Sequence, residues 1–393
     1  MASANLIPIL HIPEKIRFQC SRCAHCCNAW PVPLNEGDVR RLSQIEPSLT
    51  FSLLSAAEQR SGLRAFTHSL DKRPDGRCQF LTDSVCSVHE IGKPAMCRLF
   101  PYSFMDCPDG VYLGLSFAST GVLQNSGALL ADQQENLQET LTLFRSLFAE
   151  LEQSTRQSWL QISLLEGLHL PYAYCAGLLS DLAGKLSANI DEFTQTQARE
   201  SSLDILCSFF NKVVGECPSS FFRNRLALSS QASVQSVDSY LLKAMAESYF
   251  GGGALRPVDD QNIAQSVAEK LAGANPESLQ KLSLPPLSAQ AENLLARFVY
   301  VRVFSRMFFG PGFSSLSFLA GLSHLILLIV MLRRQLPDDH YLQSPEVQLR
   351  QLEEKLRQLD GKWTSARYGS NTRAMLEIMF LDKERVNRLR DSL

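Results

Sequence analysis

At 393 residues the chain is long enough for two or three domains. Apolar residues make up 45% and charged residues 20%, a composition that supports a packed core. The formal net charge is −2, and 12 Lys/Arg stand against 10 Asp/Glu between residues 14 and 106, so no basic domain of the kind that binds nucleic acid hides in the average.

The first twenty residues hold no basic stretch leading into a long apolar run, and Pro8 and Pro13 interrupt what apolar sequence there is. No signal peptide is expected. The expected location is the cytoplasm, where thiols stay reduced and clustered cysteines bind metal rather than pair as disulfides.

Eight of the 11 cysteines fall in the 88 residues from Cys20 to Cys107, where an even spread would place between two and three. The first group, FQCSRCAHCCNAW, gives Cys20, Cys23, Cys26 and Cys27 at the spacing C-x2-C-x2-C-C. About fifty residues later a second group supplies Cys78, Cys86 and Cys97, with His89 three residues after Cys86 and Cys107 trailing. Two residues between cysteines let the chain turn so that both sulfurs face one ion, while backbone N–H groups inside the turn donate to the sulfurs. The seven cysteines Cys20, Cys23, Cys26, Cys27, Cys78, Cys86 and Cys97 are therefore the candidate metal ligands.

Two metals remain open. Zinc takes four ligands in a tetrahedron, which Cys20, Cys23, Cys86 and His89 could supply. An iron–sulfur cluster, with [4Fe–4S] the preferred type, takes mostly cysteine. The adjacent pair Cys26–Cys27 favours a multi-iron cluster or two nearby sites, because successive side chains diverge and both rarely reach one small ion. His25 is a candidate outer donor, and Arg22 and Arg98 flank cysteines where they would offset thiolate charge. Cys175, Cys207 and Cys217 stand apart and read as small buried hydrophobes.

These residues resemble a known family. Cys20 to Cys27, then Gly76 to His89, then Cys97-Arg98-Leu99-Phe100-Pro101 look like the CxxCxxCC zinc- or iron-chelating family. Cys26-Cys27-Asn28-Ala29-Trp30 and the overall length also resemble the flagellin lysine-N-methylase family. That second resemblance implies an iron–sulfur cluster, S-adenosylmethionine as methyl donor, and a flagellin-like lysine as protein substrate. The segment Leu115–Thr120 lacks a cysteine that such relatives tend to carry there. The residues themselves show neither a glycine-rich adenosyl-binding loop nor an identifiable base. A non-enzymatic reading, a metal-binding or redox-sensing module with a helical partner-binding domain, stands beside the enzymatic one, as does an electron-transfer role.

Along the rest of the chain, short helices are expected at 38–46 and 50–60, and a strand-like run at Val111–Phe117. From about residue 128 the pattern turns helical: Leu137, Leu141, Phe144, Leu147, Phe148 and Leu151 recur at threes and fours. Further helices are expected at 155–167, 172–187, 202–214, 236–249 and 262–272. Another spans 344–361, opened by Ser344 and Pro345 and closed by Gly361. Gly251-Gly252-Gly253 reads as a connector, since no phosphate-binding pattern surrounds it. Ser314–Leu332 has no formal charge, but its serines and His324 favour a buried helix over a membrane span. The whole reads as α+β: a small irregular cysteine domain organised by metal, 1–122, followed by a mainly α-helical domain, 123–393, with a subdivision near 251–260.

Overall fold

The structure is a computed structural model. It describes residues 8–29, 31–55, 64–165, 167–190, 200–217, 287–312, 315–336 and 343–363, with Arg373, Leu376 and Glu377. Trp30, the glycine run 251–253 and the helices expected at 236–249 and 262–272 lie outside these residues. The architecture is α+β, with strands concentrated in the cysteine-bearing part and helices dominating the rest.

In chain order the first part runs β1 (Leu10–His11), α1 (His25–Ala29), β2 (Val32–Leu34), α2 (Glu36–Ile45), β3 (Phe51–Leu53), β4 (His68–Leu70), β5 (Leu81–Thr82) and β6 (Val85–Cys86). Then come α3 (Ala95–Leu99), β7 (Tyr102–Cys107), β8 (Gly110–Leu115) and α4 (Thr120–Leu123). The helical part comprises α5 (Gln134–Trp159), the hairpin β9 (Ser163–Leu165) and β10 (Leu168–His169), α6 (Tyr172–Ala188), α7 (Ser202–Glu216), α8 (Ala289–Phe304), α9 (Phe318–Arg334) and α10 (Pro345–Trp363). Two compact units emerge, one of residues 1–106 and 113–154, the other of residues 107–112 and 155–393.

The first unit is built on small antiparallel sheets. β4 lies between β2 and β3, and β5 pairs with β6 through the turn residues Asp83 and Ser84. Both turn residues have positive φ, 47° and 65°, as a two-residue hairpin turn with the right twist requires. The helix expected at 50–60 is not what forms at its start: Phe51–Leu53 pairs with His68–Leu70 as a strand. Propensity there yields to the ladder hydrogen bonds offered by β4. Leu34, Leu42, Leu70, Phe80, Leu81 and Val88 form the core beneath these sheets.

In the second unit, α8 packs against α6 and α10. Ser201 opens α7 with a capping box to Asp204, and Ser288 and Ser317 cap α8 and α9. A single helix over 155–167 does not form, because α5 continues to Trp159 and the chain then turns into the β9–β10 hairpin. α10 runs past Gly361 to Trp363, with Leu352, Leu356 and Leu359 fully buried on one side. Within Ser314–Leu332, the described helix α9 is buried from Phe318 onward, and no helix among the described residues is long and apolar enough to cross a membrane. Arg302, fully buried on α8, is paired with Asp360 of α10.

A strap across the first unit positions the start of the cysteine run. The Leu130 N–H donates to the Ile16 carbonyl (2.9 Å) and the Phe18 N–H to the Ala128 carbonyl (3.2 Å). Gln133 Nε2 donates to the Phe18 carbonyl at 3.1 Å. The strap lies so close to α4 that a Cβ on Gly121 would stand 2.2 Å from the Gln19 carbonyl oxygen. Gly121→Ala therefore has to push the strap away, and the expected result is a loss of about 1–3 kcal/mol, read as a lower melting temperature. Gly177→Ala, on α6 where an added methyl meets nothing within 4 Å, leaves stability unchanged or raises it by up to about 1 kcal/mol.

Candidate metal centre

All seven candidate ligands, Cys20, Cys23, Cys26, Cys27, Cys78, Cys86 and Cys97, line one cavity of about 790 Å³ in the first unit. Cys20 and Cys23 lie in the loop between the strap and α1, Cys26 and Cys27 on α1, Cys78 just before β5, Cys86 at the end of β6, and Cys97 on α3. The two groups meet at one junction. The Cys78 N–H donates to the Cys27 carbonyl at 3.1 Å, and Lys72 Nζ donates to the same oxygen at 2.8 Å.

The local backbone presents the sulfurs. Arg22 and Ala24, on either side of Cys23, take positive φ values of 52° and 60°. Each costs about 1–2 kcal/mol for a residue with a side chain, which the surrounding contacts must offset. Backbone N–H groups two residues ahead donate to three sulfurs: His25 to Cys23, Phe80 to Cys78 and Val88 to Cys86. This is the N–H to sulfur pattern expected of turns that hold thiolates against metal.

Cys97 depends on a contact made by α2. Pro94 precedes α3 and has no side-chain acceptor for the helix N-terminus. Asp38, 2% exposed, supplies it: both carboxylate oxygens lie 3.2 Å from the Ala95 nitrogen. Asn35 caps α2 through the Asp38 N–H at 2.8 Å, and Arg41 pairs with the Asp38 carboxylate. Thus the short helix that carries Cys97 is fixed to the β2–α2 core.

Electrostatics separate the thiols. The Cys27 S–H donates to Cys26, which holds the Cys26 thiol below its ordinary value and pushes Cys27 up. Burial raises Cys23, but hydrogen bonds led by the Thr120 and Ser21 side chains outweigh it and leave that thiol lowered; Cys23 Sγ lies 3.1 Å from Thr120 Oγ1. Burial raises Cys78 and Cys86 and pushes Cys97 up to about 12, while Lys93 pulls the other way at Cys86 and Cys97. Without metal, most of these sulfurs are held as thiols; bound metal replaces their protons.

Arg22 and Arg98 both line the cavity, as does His89, whose Nε2 sits 3.6 Å from Glu90. His25 contributes its backbone N–H to Cys23. Cys107 is fully buried at the end of β7 and is not part of the lining. Cys175 and Cys207 are buried in α6 and α7, as small core residues should be, whereas Cys217 is only partly buried. Lys72, Lys93, Asp38 and Thr120 are the contributors that spacing alone does not reveal; none falls in a metal-ligand motif. Among the described residues, no three His, Cys, Asp or Glu side chains stand close enough together to hold an ion as they are. The donor set nonetheless suits a cysteine-ligated centre: seven cysteines line one cavity, backbone N–H groups donate to three of their sulfurs, Lys93 shares the lining and Lys72 bonds the Cys27 carbonyl.

Comparison with known proteins agrees with that chemistry. Residues 19–127 match the CxxCxxCC family, described as a "Putative zinc- or iron-chelating domain". This part of the chain is a CxxCxxCC metal-binding cysteine domain. No curated protein and no solved structure matches the chain.

Asp38→Ala removes the carboxylate that caps α3 and leaves the Ala95 N–H without its charged acceptor. The expected cost is about 1.5–3 kcal/mol, together with weaker metal retention measured by elemental analysis after gel filtration.

Proposed function

We propose that the cavity holds an iron–sulfur cluster rather than zinc alone. The observation that carries this is that all seven candidate cysteines line a single cavity. One structural zinc takes four ligands, often mixed with histidine; an almost purely cysteine donor set that includes the adjacent pair Cys26–Cys27 suits a multi-iron cluster better. An iron–sulfur cluster draws on cysteine thiolates and responds to hydrogen bonds to its sulfurs and to solvent exposure. The N–H donors of His25, Phe80 and Val88 serve this role. When bound, the cluster supplies a redox-active and Lewis-acidic centre. The chain's own part is to release the protons of the ligating thiols, orient the sulfurs and offset their charge with Lys72 and Lys93.

The methyl-transfer reading rests on the resemblance to flagellin lysine-N-methylases. It would require S-adenosylmethionine to bind beside the centre, and the cavity is large enough to hold a small molecule there. The alternative is a metal-binding or redox-sensing module whose helical part binds a protein partner.

Anaerobic purification followed by absorbance and elemental analysis tests the first reading. The expected protein is brown, absorbs broadly near 400 nm and contains iron and sulfide; a colourless protein with zinc alone ends it. The same preparation, given labelled S-adenosylmethionine and flagellin, tests methyl transfer: an intact cluster with no label on lysine ends the enzymatic reading.

A further inference from the structure

This inference rests on the reading that the cavity holds a cysteine-ligated centre. A [4Fe–4S] cluster takes four cysteines, as does an all-cysteine zinc site. Seven therefore leaves three over, and the fold divides the seven in the same proportion.

Four of them belong to the core of the first unit. Cys78 is one of its buried residues, and Cys27, Cys86 and Cys97 pack against it. They come from four separate elements: α1, the bridge at Lys72–Cys78, the β5–β6 hairpin and α3. Those elements are tied together by the Cys78–Cys27 backbone hydrogen bond and by Asp38 at the start of α3. The remaining three follow one another in sequence and lie outside that core cluster. Cys20 and Cys23 are exposed, and Cys26 is partly buried. Their support is different: the strap at 16–19, held by 128–133, leads into Cys20, and Thr120 of α4 touches Cys23.

We propose that the cavity holds two centres: an inner one on Cys27, Cys78, Cys86 and Cys97 that stitches the core together, and an outer one on Cys20, Cys23 and Cys26. The inner set is a full complement of four thiolates from distant parts of the chain, so it acts as a cross-link and contributes folding free energy. The outer set is one thiolate short, on the exposed side, and takes a ligand from the cavity or from solvent to complete its coordination. Metal sites with an open position are the ones that exchange ligands and do chemistry, whereas closed sites are structural. The two sets adjoin at Cys26–Cys27, where neighbouring residues on α1 serve different centres.

The test uses the full chain, reconstituted anaerobically with ferrous iron and sulfide, compared with Cys20→Ser/Cys23→Ser. The double variant is expected to lose part of its iron but not all, and to melt within a few degrees of the wild type. Challenged with the iron chelator bathophenanthroline disulfonate, the wild type is expected to release iron in a fast and a slow phase, the variant in the slow phase alone. A variant that loses all its iron shows one joint centre and overturns the division. A variant that loses none shows the outer three cysteines to be bystanders and also overturns it. Should the variant aggregate, the chelator curve of the wild type decides: a single phase overturns the two-centre assignment. A wild type that takes up no metal overturns the reading of the cavity itself, which the reconstitution step reports separately.

Discussion

The Cys27 carbonyl accepts two donors, the Cys78 N–H and Lys72 Nζ, and that junction joins the two groups of cysteines. Cys27 and Cys78 are separated by fifty residues that include helix α2 and all three strands of the β2–β4–β3 sheet. Closing such a loop carries an entropic penalty that grows only slowly with its length. The ladder hydrogen bonds of the sheet and the packing of Leu34, Leu42 and Leu70 offset that penalty.

Charge sets the second constraint. Several thiolates cannot share a cavity as bare anions, and the structure deals with this in two ways. Burial keeps Cys78, Cys86 and Cys97 protonated, and the thiols of Cys26 and Cys27 share a hydrogen bond. Lys72, Lys93, Arg22 and Arg98 stand around the same space. A metal cation substitutes for the protons, so binding is coupled to proton release and strengthens as pH rises toward the thiol range. In the metal-free protein the sign reverses. A thiol raised to about 12 by burial, as at Cys97, contributes stability that is complete below its ordinary value of 9 and is lost as pH climbs from there.

Much of this was legible from spacing. C-x2-C-x2-C-C and the later trio are short-range patterns, and the backbone turns they require follow from the same few residues. What spacing missed has a common cause. α8 is buried almost all round, from Leu294 to Val303, so it shows no apolar stripe against a polar one. Phe51–Leu53 became a strand because a partner edge lay beside it, and α5 ended at Trp159 because a hairpin followed. Neither partner is visible within the segment itself.

The sequence by itself determined the chemistry of the site: which residue type supplies the ligands, that there are more of them than one tetrahedral ion needs, and that the chain is α+β. The tertiary structure alone decided their company. It buried Cys107 outside the cavity lining, brought Lys72, Asp38 and Thr120 to the cysteines, set Cys27, Cys78, Cys86 and Cys97 on the core cluster and left Cys20 and Cys23 exposed. The reason is one of range. Turn geometry and donor identity are written over a few residues, whereas convergence of groups fifty or more residues apart is the product of packing and hydrogen bonds made by everything between them.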